Sequence, residues 1–259
     1  MPANIAVLVK QIPDPSQVGS LDENFRFVRE GKIVIDDADL YGVEVALQLK
    51  EKLSDAQVIA VSMAPDEQSS GLRTALQMGA DKAVVISDPD LANAHSLATA
   101  KVLNAAIEKI GECQLIISGT ESSDGYAGTL PAQIAALRNI SALTFATSVD
   151  LDGTTITTKR QSNDSLDTLK AQLPCVVSVT AGVVEPRYPN FKDIMAAKSK
   201  PVDTYTLADL ELSKDDLEVD SQQVVSLEDA PGRSSGEKIE DISIAADKII
   251  EFLENAGAL

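Results

Sequence analysis

Compact apolar runs alternate with amphipathic stretches through the first half of the chain. Residues 5–9 (IAVLV), 58–62 (VIAVS), 83–86 (AVVI) and 115–118 (LIIS) are short and almost wholly apolar. Such runs mark strands buried on both faces. Between them, apolar residues recur at helical spacing: Val43, Ala46, Leu47 and Leu49, then Leu72, Ala75, Leu76 and Met78 up to Gly79, then residues 92–110. Residues 129–137 repeat the pattern. Asp39 opens the first of these helices as its expected N-cap, and Gly79 is a good C-terminal stop for the second. Residues 25–35 alternate about Glu30-Gly31-Lys32, which predicts a β-hairpin. Strand and helix alternating from residue 4 to about 138 imply βαβ units: an open, mostly parallel sheet with helices on both faces and right-handed crossovers.

After Ala142 the pattern changes. Residues 145–151, 154–161 and 166–171 are β-like, with Asp152-Gly153 as a hairpin turn, and 176–180 read as another strand. Pro186 and Pro189 then interrupt regular structure. These extra hairpins belong beside the main sheet in the same domain. From Leu207 the chain turns acidic. Residues 228–236 (EDAPGRSSG) read as an extended linker, and 239–253 as one amphipathic helix carrying Ile242, Ile244, Ile249, Ile250 and Leu253. The pattern alone favours that helix folding back on its own domain over reaching to another subunit.

Composition narrows the partners. The 259 residues carry a formal charge of −18, which disfavours nucleic acid and anionic membrane surfaces. A small nucleotide is still compatible, because backbone N–H groups at a helix N-terminus can hold a phosphate without Lys or Arg. Aromatics are 3% and Trp is absent, so Val, Ile, Leu and Ala must fill the core. Cys113 and Cys175 form no CxxC pair and His95 is the lone histidine, so no structural zinc site is expected. Reduced thiols fit a cytoplasmic protein. No apolar run reaches the ~20 residues of a membrane span, and the first residues lack the form of a signal peptide.

In an open parallel sheet, ligands bind beyond the carboxyl ends of strands where the strand order reverses. Gly119-Thr-Glu-Ser-Ser-Asp-Gly-Tyr-Ala-Gly-Thr-Leu130 follows one strand and precedes a helix, with glycines, hydroxyls and a helix N-terminus suited to phosphate oxygens. It matches neither GxGxxG nor GxxxxGK[ST]. Equivalent strand ends are residues 8–10, 36–39 and 62–64. His95, in the opening turn of a helix, reads as a surface or capping residue. No nucleophile elbow or HExxH is present, so the chain reads as a binder or carrier with no catalytic residues.

VLVKQIPD (7–14), VEVALQLKEK (43–52), VIAVSMAP (58–65), LRTALQMGADKAVVI (72–86), GTESSDGYAG (119–128), the 165–201 stretch SLDTLKAQLPCVVSVTAGVVEPRYPNFKDIMAAKSKP and SLEDAPGRSSGEKIED (226–241) together resemble the electron transfer flavoprotein beta subunits. The resemblance implies a Rossmann-like, adenine-nucleotide-binding domain over residues 1–226, and a linker and helix over 227–259 that form an arm onto a partner subunit. It also implies a heterodimer whose alpha subunit carries FAD, a structural AMP in this chain, and no substrate turnover of its own. The AMP site would comprise Leu8, Asp36, Asp39, Met63, Gly119, Thr120, Glu121, Ser122, Ser123, Asp124, Gly125, Ala127, Gly128, Thr129 and Leu130. Asp124 would hold the loop closed or accept ribose hydroxyls, since its charge repels phosphate. Glu185, Pro186, Arg187, Tyr188, Phe191, Ile194 and Met195 fall in the loop that docks flavin-dependent dehydrogenases, with Phe191 as the apolar anchor. Electrons would leave to an acceptor oxidoreductase.

The chain departs from the family at Gln161, at Asn163-Asp164-Ser165, at Asp167, and at Pro131-Ala132. Those changes weaken an ion pair between this hairpin and the alpha subunit, and AMP contacts at 129–131. ANAHSLATA (92–100) reads as the AMP type and not the bifurcating type that binds a second FAD. The alternatives are that second-FAD subunit and a stand-alone adenine-nucleotide-binding protein.

Overall fold

A computed structural model of the chain describes residues 4–53, 55–65, 70–219, 221–222, 224–228, 230, 232 and 236–259. Part of the expected 228–236 linker lies outside the described residues. Two compact units are present, Met1–Val224 and Val225–Leu259.

The first unit is built on strands β1 (Asn4–Leu8), β4 (Gln57–Met63), β5 (Lys82–Ile86), β6 (Cys113–Gly119), β7 (Ser141–Asp152), β8 (Thr155–Gln161), β9 (Leu166–Gln172), β10 (Cys175–Val179) and β11 (Val202–Tyr205). They form one nine-stranded sheet in the order β11-β5-β4-β1-β6-β10-β7-β8-β9. Pairing is parallel from β11 to β7 and antiparallel through β7, β8 and β9. A small antiparallel ribbon joins β2 (Gln11–Pro13) to β3 (Ile33–Ile35).

The apolar runs are buried from both sides because alternate residues face opposite helix layers. Ile5, Val7, Val58 and Ile117 pack with Val43 and Leu47 of α1 (Asp37–Lys50) and Leu72 and Leu76 of α2 (Ser70–Met78). Ala6, Leu8, Ile59 and Ile116 pack with Val102 and Ala106 of α3 (Ser96–Ile110) and Ile134 of α4 (Leu130–Arg138). Burying each Val, Ile or Leu side chain contributes roughly 1.5–3 kcal/mol, so the scarcity of aromatics leaves the core well supplied.

Several sequence expectations are corrected. Residues 25–35 do not pair as a hairpin. Ile33–Ile35 pairs instead with Gln11–Pro13, and an isolated bridge links Leu21 to Phe27. Asp39 is not the N-cap of α1. Asp36 is, its side chain accepting Ala38 N–H at 3.2 Å, while Asp39 lies in the first turn. The 92–110 helix begins only at Ser96, where His95 caps it by accepting Ala98 N–H at Nδ1. The extra hairpin strands do lie beside the parallel strands in the same domain as expected, with β7, β8 and β9 continuing the main sheet. Helix α5 (Phe191–Ala196) and strand β11 occupy stretches where no element was expected.

Gly79 ends α2 with φ at +137°. A short helix, α6 (Lys214–Leu217), carries a capping box between Ser213 and Asp216. The second unit contains α7 (Ile242–Asn255), capped by Asp241, with Ile242, Ile249 and Phe252 exposed. No helix among the described residues is long and apolar enough to cross a membrane.

Candidate functional site

The chain leaves β1 toward β4 and β5 on one side, then returns to β6 on the other side of β1. The strand order therefore reverses between β1 and β6, the place beyond whose carboxyl ends such sheets form a ligand crevice. Leu8 ends β1, Met63 ends β4 and Gly119 ends β6. Leu8 and Met63 belong to the core layer shared with α3 and α4. Residues 120–129 then cross the mouth of the crevice into α4. The predicted nucleotide residues are thereby brought to one sheet rim.

Three carboxylates close the first half of that loop. Asp36, fully buried, accepts the Ser123 N–H at 2.6 Å and the Ser123 hydroxyl at 2.7 Å. Asp39 accepts the Lys10 N–H at 2.6 Å. Burial pushes the Asp39 carboxyl up to about 7, with the Asp36 charge adding to it and backbone hydrogen bonds from Lys10 and Gly119 opposing. Glycine at 119 eases this approach, since a Cβ there would stand 3.0 Å from Asp39 Oδ1 and 3.3 Å from the Ala38 side chain.

Asp124 is the third. Its side chain is 5% exposed and meets Lys10 Nζ at 2.7 Å and the Arg29 guanidinium. Burial raises its carboxyl, but Lys10 and Arg29 outweigh that and hold it below the usual carboxylate range. Lys10 Nζ also donates to Ser122 Oγ at 3.2 Å. Thr120 Oγ1 turns away to donate to Val179 O. The main-chain amides here are thus largely taken by the protein itself: Ser123 N–H by Asp36, and Gly125 and Tyr126 N–H by Ser122 O.

The second half of the loop is different. Gly128 holds φ at +61°, a left-handed conformation that favours glycine, with Glu121 Oε2 3.3 Å from where a Cβ would lie. Thr129 occupies the N-cap of α4 without making a side-chain cap hydrogen bond. The first turn of any helix leaves N–H groups without intrahelical partners. Pro131 removes one of them, and the remainder carry the positive end of the helix dipole.

On the same face of the sheet, Ser118 Oγ and Gln133 Oε1 are buried with no hydrogen-bond partner. Buried polar atoms are nearly always paired, so these two are open to a polar ligand, as are Gln11 Nε2, Ser62 Oγ and Thr158 Oγ1, which are unpaired too. Glycine at 128, an open helix N-terminus and unpartnered polar groups suit a polar, anionic group. The cations at the rim, Lys10 and Arg29, are already engaged by Asp124. Arg29, Ser118 and Gln133 escaped sequence reading. Ser118, a hydroxyl inside an apolar strand, was the one available signal. Arg29 lies 95 residues from Asp124 with nothing local to connect them.

The second predicted region lies on residues 185–195. Asn190 caps α5 by accepting Asp193 N–H at 3.0 Å. Phe191, Ile194 and Met195, spaced i, i+3 and i+4, share one helical face. Phe191 is 78% exposed and Tyr188 91%, and Ile194 and Met195 are exposed as well. Glu185 is exposed and Pro186 half-buried. Arg187 departs from the set: its guanidinium folds back onto Glu44 of α1, Nε to Oε2 at 2.6 Å and a terminal nitrogen to Oε1 at 2.9 Å.

Cys113 and Cys175 are free and buried, and burial pushes their thiols up to about 11 and about 12, which leaves them unreactive. His95 is occupied as a cap, with Nε2 also 3.1 Å from Glu218 O.

Residues 24–210 match the family model of the Electron transfer flavoprotein domain. Over 258 residues, 96% of this chain and 97% of the relative, the chain is 35% identical to the Electron transfer flavoprotein subunit beta of Mycobacterium tuberculosis. It is 36% identical to the protein of that name from Bacillus subtilis over 186 residues, 71% of this chain and 72% of the relative. It is 29% identical over 238 residues, 91% of each chain, to the Caffeyl-CoA reductase-Etf complex subunit CarD of Acetobacterium woodii.

Proposed function

Since the chain belongs to the electron transfer flavoprotein domain family, whose beta subunits match it over nearly its whole length, we propose that it is the beta subunit of a heterodimeric electron carrier that holds AMP as a structural nucleotide. The carrying observation is the pairing of an uncapped α4 N-terminus with the buried, unpartnered Ser118 and Gln133 beside the β1–β6 switch point. Thr129, Leu130, Gly128 and Ser118 would hold the phosphate and nucleoside, with Leu8 and Met63 as apolar wall. Asp36, Asp39 and Asp124 act on the protein and not on the ligand, by fixing the shape of the loop.

The chain performs no bond-making chemistry of its own in this reading. The alpha subunit carries the FAD, which supplies the electron chemistry when bound. This chain gives it a rigid flank, an arm over residues 227–259, and the Phe191 face on which a flavin-dependent dehydrogenase docks in the cytoplasm before electrons pass to an acceptor oxidoreductase. An exposed aromatic with two apolar neighbours is the usual form of such an anchor.

Co-expression with the alpha subunit, followed by denaturation and quantification of released nucleotides, tests the reading. One FAD and one AMP per heterodimer is the expected result. Two FAD would favour the bifurcating type, and a colourless monomer that hydrolyses ATP would reject the assignment.

A further inference from the structure

The exposed segment between Arg187 and Lys200 is tied down at both ends by cations that reach past it into the core layer. Arg187 donates three hydrogen bonds to the Glu44 carboxylate, from its backbone N–H at 3.2 Å, from Nε at 2.6 Å and from a terminal nitrogen at 2.9 Å. The Glu44 side chain is only 5% exposed. Burial pushes its carboxyl up, and Arg187 and Gln48 more than reverse this to leave it lowered. Arg187 is raised in turn, by Glu44 first.

At the other end, Lys200 Nζ donates to Leu76 O at 2.8 Å and Ala80 O at 2.7 Å. These carbonyls lie at the C-terminal end of α2, where helices leave acceptors unsatisfied and a cation is favoured. Val183, Val184 and Ala197 pack on the core beside the two cations. Between these points the chain turns outward and presents Tyr188, Phe191, Ile194 and Met195 to solvent.

We propose that Arg187 and Lys200 are positioning residues, a pair of latches that hold residues 188–199 in the shape a donor dehydrogenase recognises. The inference rests on the reading of Phe191 as the docking anchor. Neither latch touches the donor or the flavin. Each removes conformational freedom before docking, so the complex forms without ordering the loop at that moment. Lys cannot replace Arg187, because the fork of two parallel N–H groups on one carboxylate is unavailable to an ammonium.

The experiment uses the heterodimer with its alpha subunit in four forms: wild type, Arg187→Lys, Lys200→Met and Phe191→Ala. A purified flavin-dependent dehydrogenase that reduces the wild type serves as donor, and dithionite serves as a donor that needs no docking. Limited trypsin digestion reports loop order directly, through cleavage after Lys192 and Lys198. For Arg187→Lys and Lys200→Met the half-saturating heterodimer concentration should rise about tenfold, equivalent to the ordering of one or two side chains. The maximal rate and the dithionite rate should hold within about twofold, on the view that only the free state has changed. Trypsin should cut the latch variants several times faster.

A wild-type half-saturation in both latch variants, beside a raised one in Phe191→Ala, would overturn the latches alone. A lowered maximal rate at unchanged half-saturation would also overturn them. A wild-type half-saturation in Phe191→Ala would overturn the docking reading, and the latch proposal with it.

Discussion

Asp36 and Ser123, 87 residues apart, share two hydrogen bonds: the carboxylate accepts the serine N–H at 2.6 Å and its hydroxyl at 2.7 Å. The same carboxylate caps α1 through Ala38 N–H. One buried side chain therefore joins the start of α1 to the loop that follows β6, across the point where the strand order reverses.

Replacing Asp36 by Ala should remove a helix cap and two charge-assisted hydrogen bonds together. Loss of the cap costs about 1 kcal/mol, and the loop bonds add about 1.5–3 kcal/mol. Urea unfolding of the heterodimer should show a loss of about 2–4 kcal/mol on the same grounds. Ser123→Ala, which keeps the backbone bond, should cost less than half of that. Equal losses would mean that the Ser123 hydroxyl bond accounts for the whole effect and the cap for none of it.

Lys10→Met should destabilise the protein near neutral pH and have little effect in acid. Asp124 is held below the usual carboxylate range by Lys10 and Arg29 despite its burial. A depressed folded pKa stabilises above the unfolded value of about 3.9 and is lost as pH falls through the folded value. Removing Lys10 raises the folded value toward the unfolded one, so this stabilisation is missing above the unfolded value and the two proteins converge as pH falls below it. Lys10 is more than a third exposed, so solvent screens the pair and the effect near neutral pH should be about 1 kcal/mol. The stability gap between wild type and Lys10→Met, read from urea unfolding at each pH, should be widest near neutral pH and close as pH falls below about 4.

Much of this arrangement was legible in the sequence, and the part that was not has physical causes. Buried parallel strands are continuous apolar runs, so β1, β4, β5 and β6 stood out, and Gly79 marked the end of α2. The Gly119–Leu130 loop was identifiable because it joins such a strand to a helix. Which half of that loop is left open was hidden, since it depends on Asp36, Asp39 and Asp124 claiming partners 29 to 114 residues distant. The cap of α1 was misplaced by three residues because four positions, 36 to 39, hold three aspartates and any could accept an N–H. Residues 25–35 alternate like a hairpin, but the partner of β3 lies before the excursion, in a three-residue strand too short to register. Arg187 reads as an exposed loop cation, and only the fold brings Glu44, 143 residues earlier, beneath it.

Ser118→Ala separates ligand effects from folding effects. Ser118 Oγ is buried without a protein partner, so its removal should leave the stability of the nucleotide-free chain within about 0.5 kcal/mol or raise it slightly. If a nucleotide supplies that partner, one hydrogen bond of about 0.5–1.5 kcal/mol is lost from binding. Adenylate retention, measured by equilibrium dialysis of the refolded heterodimer, should then weaken about three- to tenfold. Unchanged retention would place the nucleotide elsewhere than against Ser118.

Asp39 makes the crevice sensitive to pH in the opposite sense from Asp124. Burial, helped by the neighbouring Asp36, pushes its carboxyl up to about 7, against the hydrogen bonds from Lys10 and Gly119. Between the unfolded value of about 3.9 and that folded value, the native state binds more protons than the unfolded one. Stability contributed by this group must therefore fall as pH rises through the window, and level off above it. Asp39→Asn cannot titrate, while other groups titrate alike in both proteins and cancel. The stability of wild type minus that of Asp39→Asn should accordingly decline between pH 4.5 and pH 8 by on the order of 2–4 kcal/mol, read from urea unfolding at each pH. The ionised form also puts a negative charge at the mouth of the crevice, so adenylate affinity in wild type should weaken above pH 7 while Asp39→Asn holds its value. A stability difference that stays flat from pH 4.5 to pH 8 would show Asp39 to be ionised throughout, its two backbone N–H partners then offsetting the whole cost of burial.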